Sequence, residues 1–188
     1  MTEIKVENVV VKIEQDDMDC SPREWDNLGT ILYAHRRYNL GEETFDTDLY
    51  NSWEEVLKHE IGKDAIALPV YLYDHSGITI STKPFGCRWD SGQVGYIYVT
   101  KEKIRKEFGI KRVTKKWVEK ITQYLESEVQ VFDDYLTGNV HWVKVEFDDY
   151  EESCGGFYGS NFKENGVFDF ICENINNEAL QQQILAQL

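Results

Sequence analysis

The stretch Ala65–Thr100, AIALPVYLYDHSGITISTKPFGCRWDSGQVGYIYVT, constrains this chain more than any other. Val70, Leu72, Ile78, Ile80, Val94, Tyr96, Tyr98 and Val99 stand on β-branched or aromatic runs with partial period-two alternation, and Gly-containing polar turns separate the runs. The pattern predicts an antiparallel meander. A second long signal follows from Thr114, where Trp117, Val118, Ile121, Leu125, Val129 and Phe132 recur at helical spacing over about six turns. This helix is expected to lie across the meander.

The flanking segments complete the expectation. Glu3–Glu14 reads as a strand with an irregularity near Asn8, where the parity of its apolar residues changes. Ser21-Pro22-Arg23-Glu24 has the form of a helix start, with Ser as cap and Pro at the first helical position. In Leu28–Leu40 the apolar run Ile31 to Ala34 is too short to arbitrate between strand and helix, and helix is preferred. Gly41–Tyr50 is an acidic loop. Asn51–Ile61 reads as a helix capped by Ser52 and stopped by Gly62, and Thr100–Phe108 as another, stopped by Gly109. Asn139–Phe147 is a clear strand in which His141 is a packed or edge residue, and Asp148–Gly159 is a loop. Val167–Ile175 and Glu178–Leu188 read as short helices, the last with Leu180, Ile184, Leu185 and Leu188 on one stripe that packs on the domain or pairs with a second copy. Together these predict an α+β fold over a single domain 1–188: a predominantly antiparallel sheet, a long helix packed on one face, short flanking helices, and 176–188 as an appended C-terminal helix.

With 188 residues, 41% of them hydrophobic, the chain can bury one real core. It has no apolar run long enough to span a bilayer and no basic leader at MTEIKVENVV, so no membrane partner is expected and the cytoplasm is the expected location. Cys20, Cys87, Cys154 and Cys172 are scattered without a CxxC pair, the pattern of reduced thiols rather than of a zinc site. Asp16, Asp17, Asp19, Glu24 and Asp26 lack the alternation of a calcium loop. No metal and no cofactor is expected.

Charge is the strongest compositional fact. The formal net charge is −14, yet Lys101–Lys120 holds nine Lys or Arg against three Glu, so that this +6 segment leaves −20 on the rest. A large negative field repels nucleic acid and suits the basic face of another protein. In the long helix, Lys115 and Lys116 at the start and Glu126, Glu128, Asp133 and Asp134 at the end oppose the helix dipole, which hints that charge there serves a purpose other than helix stability. Asp148, Asp149, Tyr150, Glu151, Glu152, Phe157 and Tyr158 interleave carboxylates with rings. With Asp133 and Asp134 they form the candidate partner-binding set, the carboxylates replacing phosphates and the rings burying apolar area on the partner.

A second candidate site lies in the turns of the meander. Asp74, His75 and Ser76 are adjacent on the chain and point in different directions, so they cannot be their own catalytic triad, and Asp or Ser beside Gly is what a hairpin turn needs. If the Cys87–Gly92 turn lies beside them, His75 and Cys87 could meet as base and nucleophile, with Cys154 a further thiol candidate. A small-ligand pocket would draw on Asp74, His75, Arg88, Trp89 and Asp90, together with Arg36 and Arg37, whose guanidinium groups suit phosphate unless neighbouring carboxylates occupy them.

The phrases SPREWDNLGT, AHRRYNLGE, LPVYLYDHSGI, FGCRWDSGQVGYIYV, YLTGNVHWVKVE and ESCGGFYG resemble those of a family of small acidic proteins of bacteriophages and other mobile elements. The resemblance implies a setting rather than a chemistry: the cytoplasm of an infected bacterial host, and opposition to a host defence system. Acidic phage inhibitors of restriction and CRISPR complexes are similar in kind, not in residues. Three readings follow. The first is a non-enzymatic inhibitor, with no catalytic residue, that occupies the basic surface of a host defence or nucleic-acid-binding protein. The others are a protein that sequesters a nucleotide signal near the DHSG and CRWDSG turns, and a Cys-dependent enzyme.

Overall fold

The computed structural model describes residues 1–188. In chain order it runs through β1 (Thr2–Val6), β2 (Val9–Gln15), β3 (Thr30–Tyr33), β4 (Glu43–Thr44), α1 (Trp53–Val56), β5 (Ala65–Asp74), β6 (Ile78–Ser81) and β7 (Ser91–Thr100). It continues through α2 (Lys101–Glu107), α3 (Lys115–Leu136), β8 (Val140–Phe147), β9 (Tyr150–Tyr158), α4 (Val167–Asn174) and α5 (Glu178–Leu185). The fold is α+β, and every strand pair is antiparallel except β3 with β4. Where the sequence reads as one domain over 1–188, the contacts fall into two compact units, Ser21–Asp133 and the two outer segments Met1–Cys20 with Asp134–Leu188.

The inserted unit holds a five-stranded sheet in the order β4-β3-β7-β5-β6. The antiparallel strands expected over 65–100 are present, but the meander is corrected: β5 is central, pairing with β6 on one side and β7 on the other, because the chain after β6 crosses back past β5. Opposed residues share a face, so Ile31 of β3, Ile97 of β7 and Leu68 of β5 point one way, while Leu32, Tyr96 and Pro69 point the other. The 22-residue α3 lies on the first face, with Ile121, Leu125, Val129 and Phe132 buried. Leu125 and Ile97 close over Gly29 so tightly that a Cβ there would stand 2.6 Å from Leu125 Cδ2. The opposite face carries α1: Leu32, Tyr96 and Val56 are buried with Phe45, Tyr50 and Trp53 around them, and Tyr96 donates its hydroxyl to Trp53 O at 3.0 Å. Ser52 caps α1, which widens into a π turn over Leu57–Ile61 and stops at Gly62 (φ 77°).

The preference for helix at Leu28–Leu40 is corrected. Thr30–Tyr33 is a strand because its β-branched start pairs with β7, which reaches close enough only through Gly95; a Cβ at that position would meet Leu32 O at 2.2 Å. At Ser21–Glu24 the expected helix start is one 3-10 turn, with Ser21 Oγ accepting from Arg23 N.

The outer unit holds a four-stranded sheet in the order β1-β2-β8-β9. The irregularity near Asn8 is a hairpin turn with Glu7 at φ 53°. Ile4, Val6, Val9, Val11, Ile13, Val143 and Val145 face α4 and α5, whose Val167, Ile171, Ile175, Leu180 and Ile184 are at most 3% exposed. Each such aliphatic side chain contributes roughly 1.5–3 kcal/mol of burial. Leu180 and Ile184 of the C-terminal stripe are thus spent inside this core, while Leu185 and Leu188 stay partly exposed. The other face of the sheet is solvated, with Lys144 bridging Glu146 (3.1 Å) and Glu151 (2.6 Å) and Lys12 meeting Glu146 (2.9 Å).

Asp148–Gly159, expected as a loop, is corrected to a turn and the edge strand β9, which pairs with β8 from Phe147↔Tyr150 to Val140↔Tyr158. Acidic residues and glycine disfavour strands intrinsically, and here β8 supplies the pairing that overrides propensity. A register shift near Gly155 and Gly156 (φ 79°) lets Gly156 N reach Asp16 Oδ2 at 2.8 Å.

Candidate functional site

The acidic set divides in two. Asp148, Asp149, Tyr150, Glu151 and Glu152 lie together on the exposed β8–β9 hairpin, and Tyr150 retains 49% of its accessible surface. The turn is held by Asn8, which donates to Asp148 Oδ1, and Tyr150 bonds Asn174 Oδ1 at 3.2 Å. Glu152 stands opposite Val145, on the core-facing side of an edge strand, yet is exposed because the helices do not cover that edge. An inward-pointing charge there blocks strand-to-strand addition. Phe157 instead turns into the core against Phe170, and Tyr158 is half-buried, with burial pushing its phenol pKa upward.

Asp133 and Asp134 leave the candidate interface. Asp133 accepts from Ile80 N (2.7 Å) and Thr79 Oγ1 (2.6 Å), while Asp134 is 6% exposed and accepts from Asn139 Nδ2 at 2.6 Å. Glu128 accepts from Leu28 N and Gly29 N and pairs with Arg23. These three carboxylates at the end of α3 serve backbone and side-chain donors across the fold, which explains their placement against the helix dipole.

The second candidate set gathers where β3, β5 and β7 meet their loops. Arg37 pairs with Asp74, which also accepts from the Tyr38 hydroxyl at 3.3 Å. Asp74 N donates to Asp90 O at 2.8 Å, so the two turns do lie side by side. His75 Nδ1 is 3.4 Å from Asp90 Oδ2, and Cys87 Sγ is 3.6 Å from the same oxygen. The carboxylate, rather than the imidazole, is the thiol's partner. No group of three or more His, Cys, Asp or Glu is arranged to hold a metal ion. Arg88 and Trp89 project into solvent, Trp89 with 95% of its surface exposed. All four cysteines are free thiols, and Cys154 is exposed on β9.

Arg36 faces a different space. With His35, Thr44, Phe45, Asp46 and Thr47 it lines an open cavity of about 600 Å³. Residues 44–47 read from sequence as part of an acidic loop; the Thr-Phe-Asp-Thr run is the local signal of this wall. The chain matches no known family model, no curated protein and no solved structure.

Proposed function

We propose that the chain is a binding protein whose acidic hairpin occupies the basic surface of a host defence or nucleic-acid-binding protein, in the setting of a phage or mobile element. One observation carries the reading. The unit made of Met1–Cys20 and Asp134–Leu188 holds sixteen Asp or Glu against four Lys, −12 of the chain's −14, whereas Ser21–Asp133 holds eighteen against sixteen. A charge spread only for solubility would not be so concentrated. Within that unit the hairpin offers Asp148, Asp149 and Glu152 beside the half-exposed Tyr150, with Glu151, paired to Lys144, on the other face, carboxylates and a ring on a two-stranded support.

The test is capture of partners from host lysate by the immobilised chain at low and high salt. The expected result is a basic partner released by salt and competed by nucleic acid, and lost when Asp148, Asp149, Glu151 and Glu152 are all changed to Lys. Tight binding that survives the fourfold reversal overturns the proposal.

A further inference from the structure

The cavity between residues 34–37 and 44–47 has uncommitted polar groups converging on it. Arg36 makes no hydrogen bond or ion pair, in contrast to Arg37, which is held by Asp74. The hydroxyls of Thr44 and Thr47 are likewise without protein partners. Arg88, Arg105 and Arg112 also lack an ion pair; what distinguishes Arg36 is its place at the wall of this cavity, where its guanidinium is free to meet an external anion.

His35 adds a donor of fixed sense. Its Nδ1 accepts from Arg37 N at 3.3 Å and Tyr38 N at 3.2 Å, and its ring lies flat on Tyr38, centroids 4.9 Å apart and planes 6° from parallel. A proton on Nδ1 would face two N–H groups, so the neutral ring carries its proton on Nε2. Burial and the nearby Arg37 charge favour that neutral form further.

The remaining wall is not phosphate-like. Phe45 is braced by edge contacts to Tyr50 (6.1 Å) and Trp53 (5.9 Å), which makes its half-buried ring a fixed apolar surface. Asp46 would repel a phosphate; its Oδ1 accepts from Asp48 N at 3.0 Å, and its second oxygen remains a natural acceptor for sugar hydroxyls. A volume of about 600 Å³ also exceeds what an inorganic anion needs.

We propose that this cavity binds a ribonucleotide, with Arg36 and His35 toward the phosphate, Asp46 toward the ribose hydroxyls and Phe45 against the base. The site belongs to the nearly neutral unit Ser21–Asp133 and stands independently of the acidic hairpin. Amide chemical shifts of the full chain, titrated with adenosine 5′-monophosphate, its 2′,3′-dideoxy counterpart, adenosine and inorganic phosphate, test it. The expected result is saturable shifts at residues 34–37 and 44–47 with the ribonucleotide, weaker binding for the other three probes, and a loss of about tenfold or more in Arg36→Gln. Arg36 is exposed, so the variant's melting temperature should match the parent's, separating lost binding from lost folding. The proposal is overturned by no saturable shift with the ribonucleotide, by equal binding of phosphate alone, or by an Arg36→Gln variant that binds as the parent does.

Discussion

Arg23→Met should be the most damaging single change that touches no apolar core residue. The Arg23 side chain is 6% exposed and makes three charge-assisted bonds: Nε to Glu42 Oε1 (2.7 Å), Nη1 to Glu128 Oε2 (3.1 Å) and Nη2 to Gly29 O (2.8 Å). Its partners are themselves committed, Glu42 to Ile31 N and Glu128 to Leu28 N and Gly29 N, so one guanidinium ties the entry of this unit to β3 and α3. Methionine fills much of the same volume and leaves two carboxylates without a cation. Breaking a buried ion pair from one side costs roughly 3–5 kcal/mol. Glu42 is 32% exposed and both carboxylates keep backbone donors, which places the loss near the lower end, about 3 kcal/mol. At roughly 2–4 °C per kcal/mol for a chain of this size, thermal unfolding should fall by about 6–12 °C. A double-mutant cycle with Glu128→Gln sharpens the test, because the second change no longer strands a charge; the double variant should lose at least about 1 kcal/mol less than the sum of the singles. A drop below about 2 °C, or additive losses, would refute the assignment of Arg23 as a buried charge hub.

Gly95→Ala should cost about 3 kcal/mol or disrupt the sheet, since its Cβ would meet the backbone of Leu32 and Tyr33 rather than a movable side chain; urea unfolding measures it. Ile184→Ala should destabilise the outer unit by roughly 2–5 kcal/mol while sedimentation shows an unchanged assembly state, because Ile184 itself is spent on α4 and the sheet; dissociation of a dimer would contradict this. For His35 the folded pKa is depressed, chiefly by burial, so below the unfolded value near 6.5 the unfolded state binds more protons; the stabilising contribution is present above that pH and is lost as pH falls. An imidazole proton titration by NMR should show His35 titrating below the ordinary imidazole value near 6.5, and a midpoint above that value would contradict the neutral ring.

The long helix and the antiparallel strands of 65–100 were legible because their periods are long and uncontested: Trp117 to Phe132 keeps one stripe, and Val94 to Val99 pairs on both sides. Their order was not, since period does not say which neighbour β5 takes, and it takes both β6 and β7. Thr30–Tyr33 was not, since its strand character is decided by the opening at Gly95, on the partner strand. β9 hid behind Asp, Glu and Gly because edge pairing with β8, not side-chain preference, makes it a strand. At the sites, local sequence announced exposed groups well, as in Asp148 to Glu152, but not their fate. Asp133 and Glu128 read as surface charge and prove to be tertiary acceptors, while Thr44 and Thr47 acquire meaning only when the loop after β3 comes beside them.

The nested connectivity of the two units also sets an order of events during synthesis. All partners of the five-stranded sheet lie within Ser21–Asp133, so that part can close as soon as it has emerged. The hairpin β1–β2, made earlier, must wait for β8, because Val9 finds its place opposite Phe147 and Ile13 opposite Val143. Through that interval Val9, Val11 and Ile13 form an open apolar row on a strand with an unfilled edge, a template for the wrong neighbour. Lys12 and Glu14, alternating with those residues, act as gatekeepers for the nascent chain well before they become part of a finished surface.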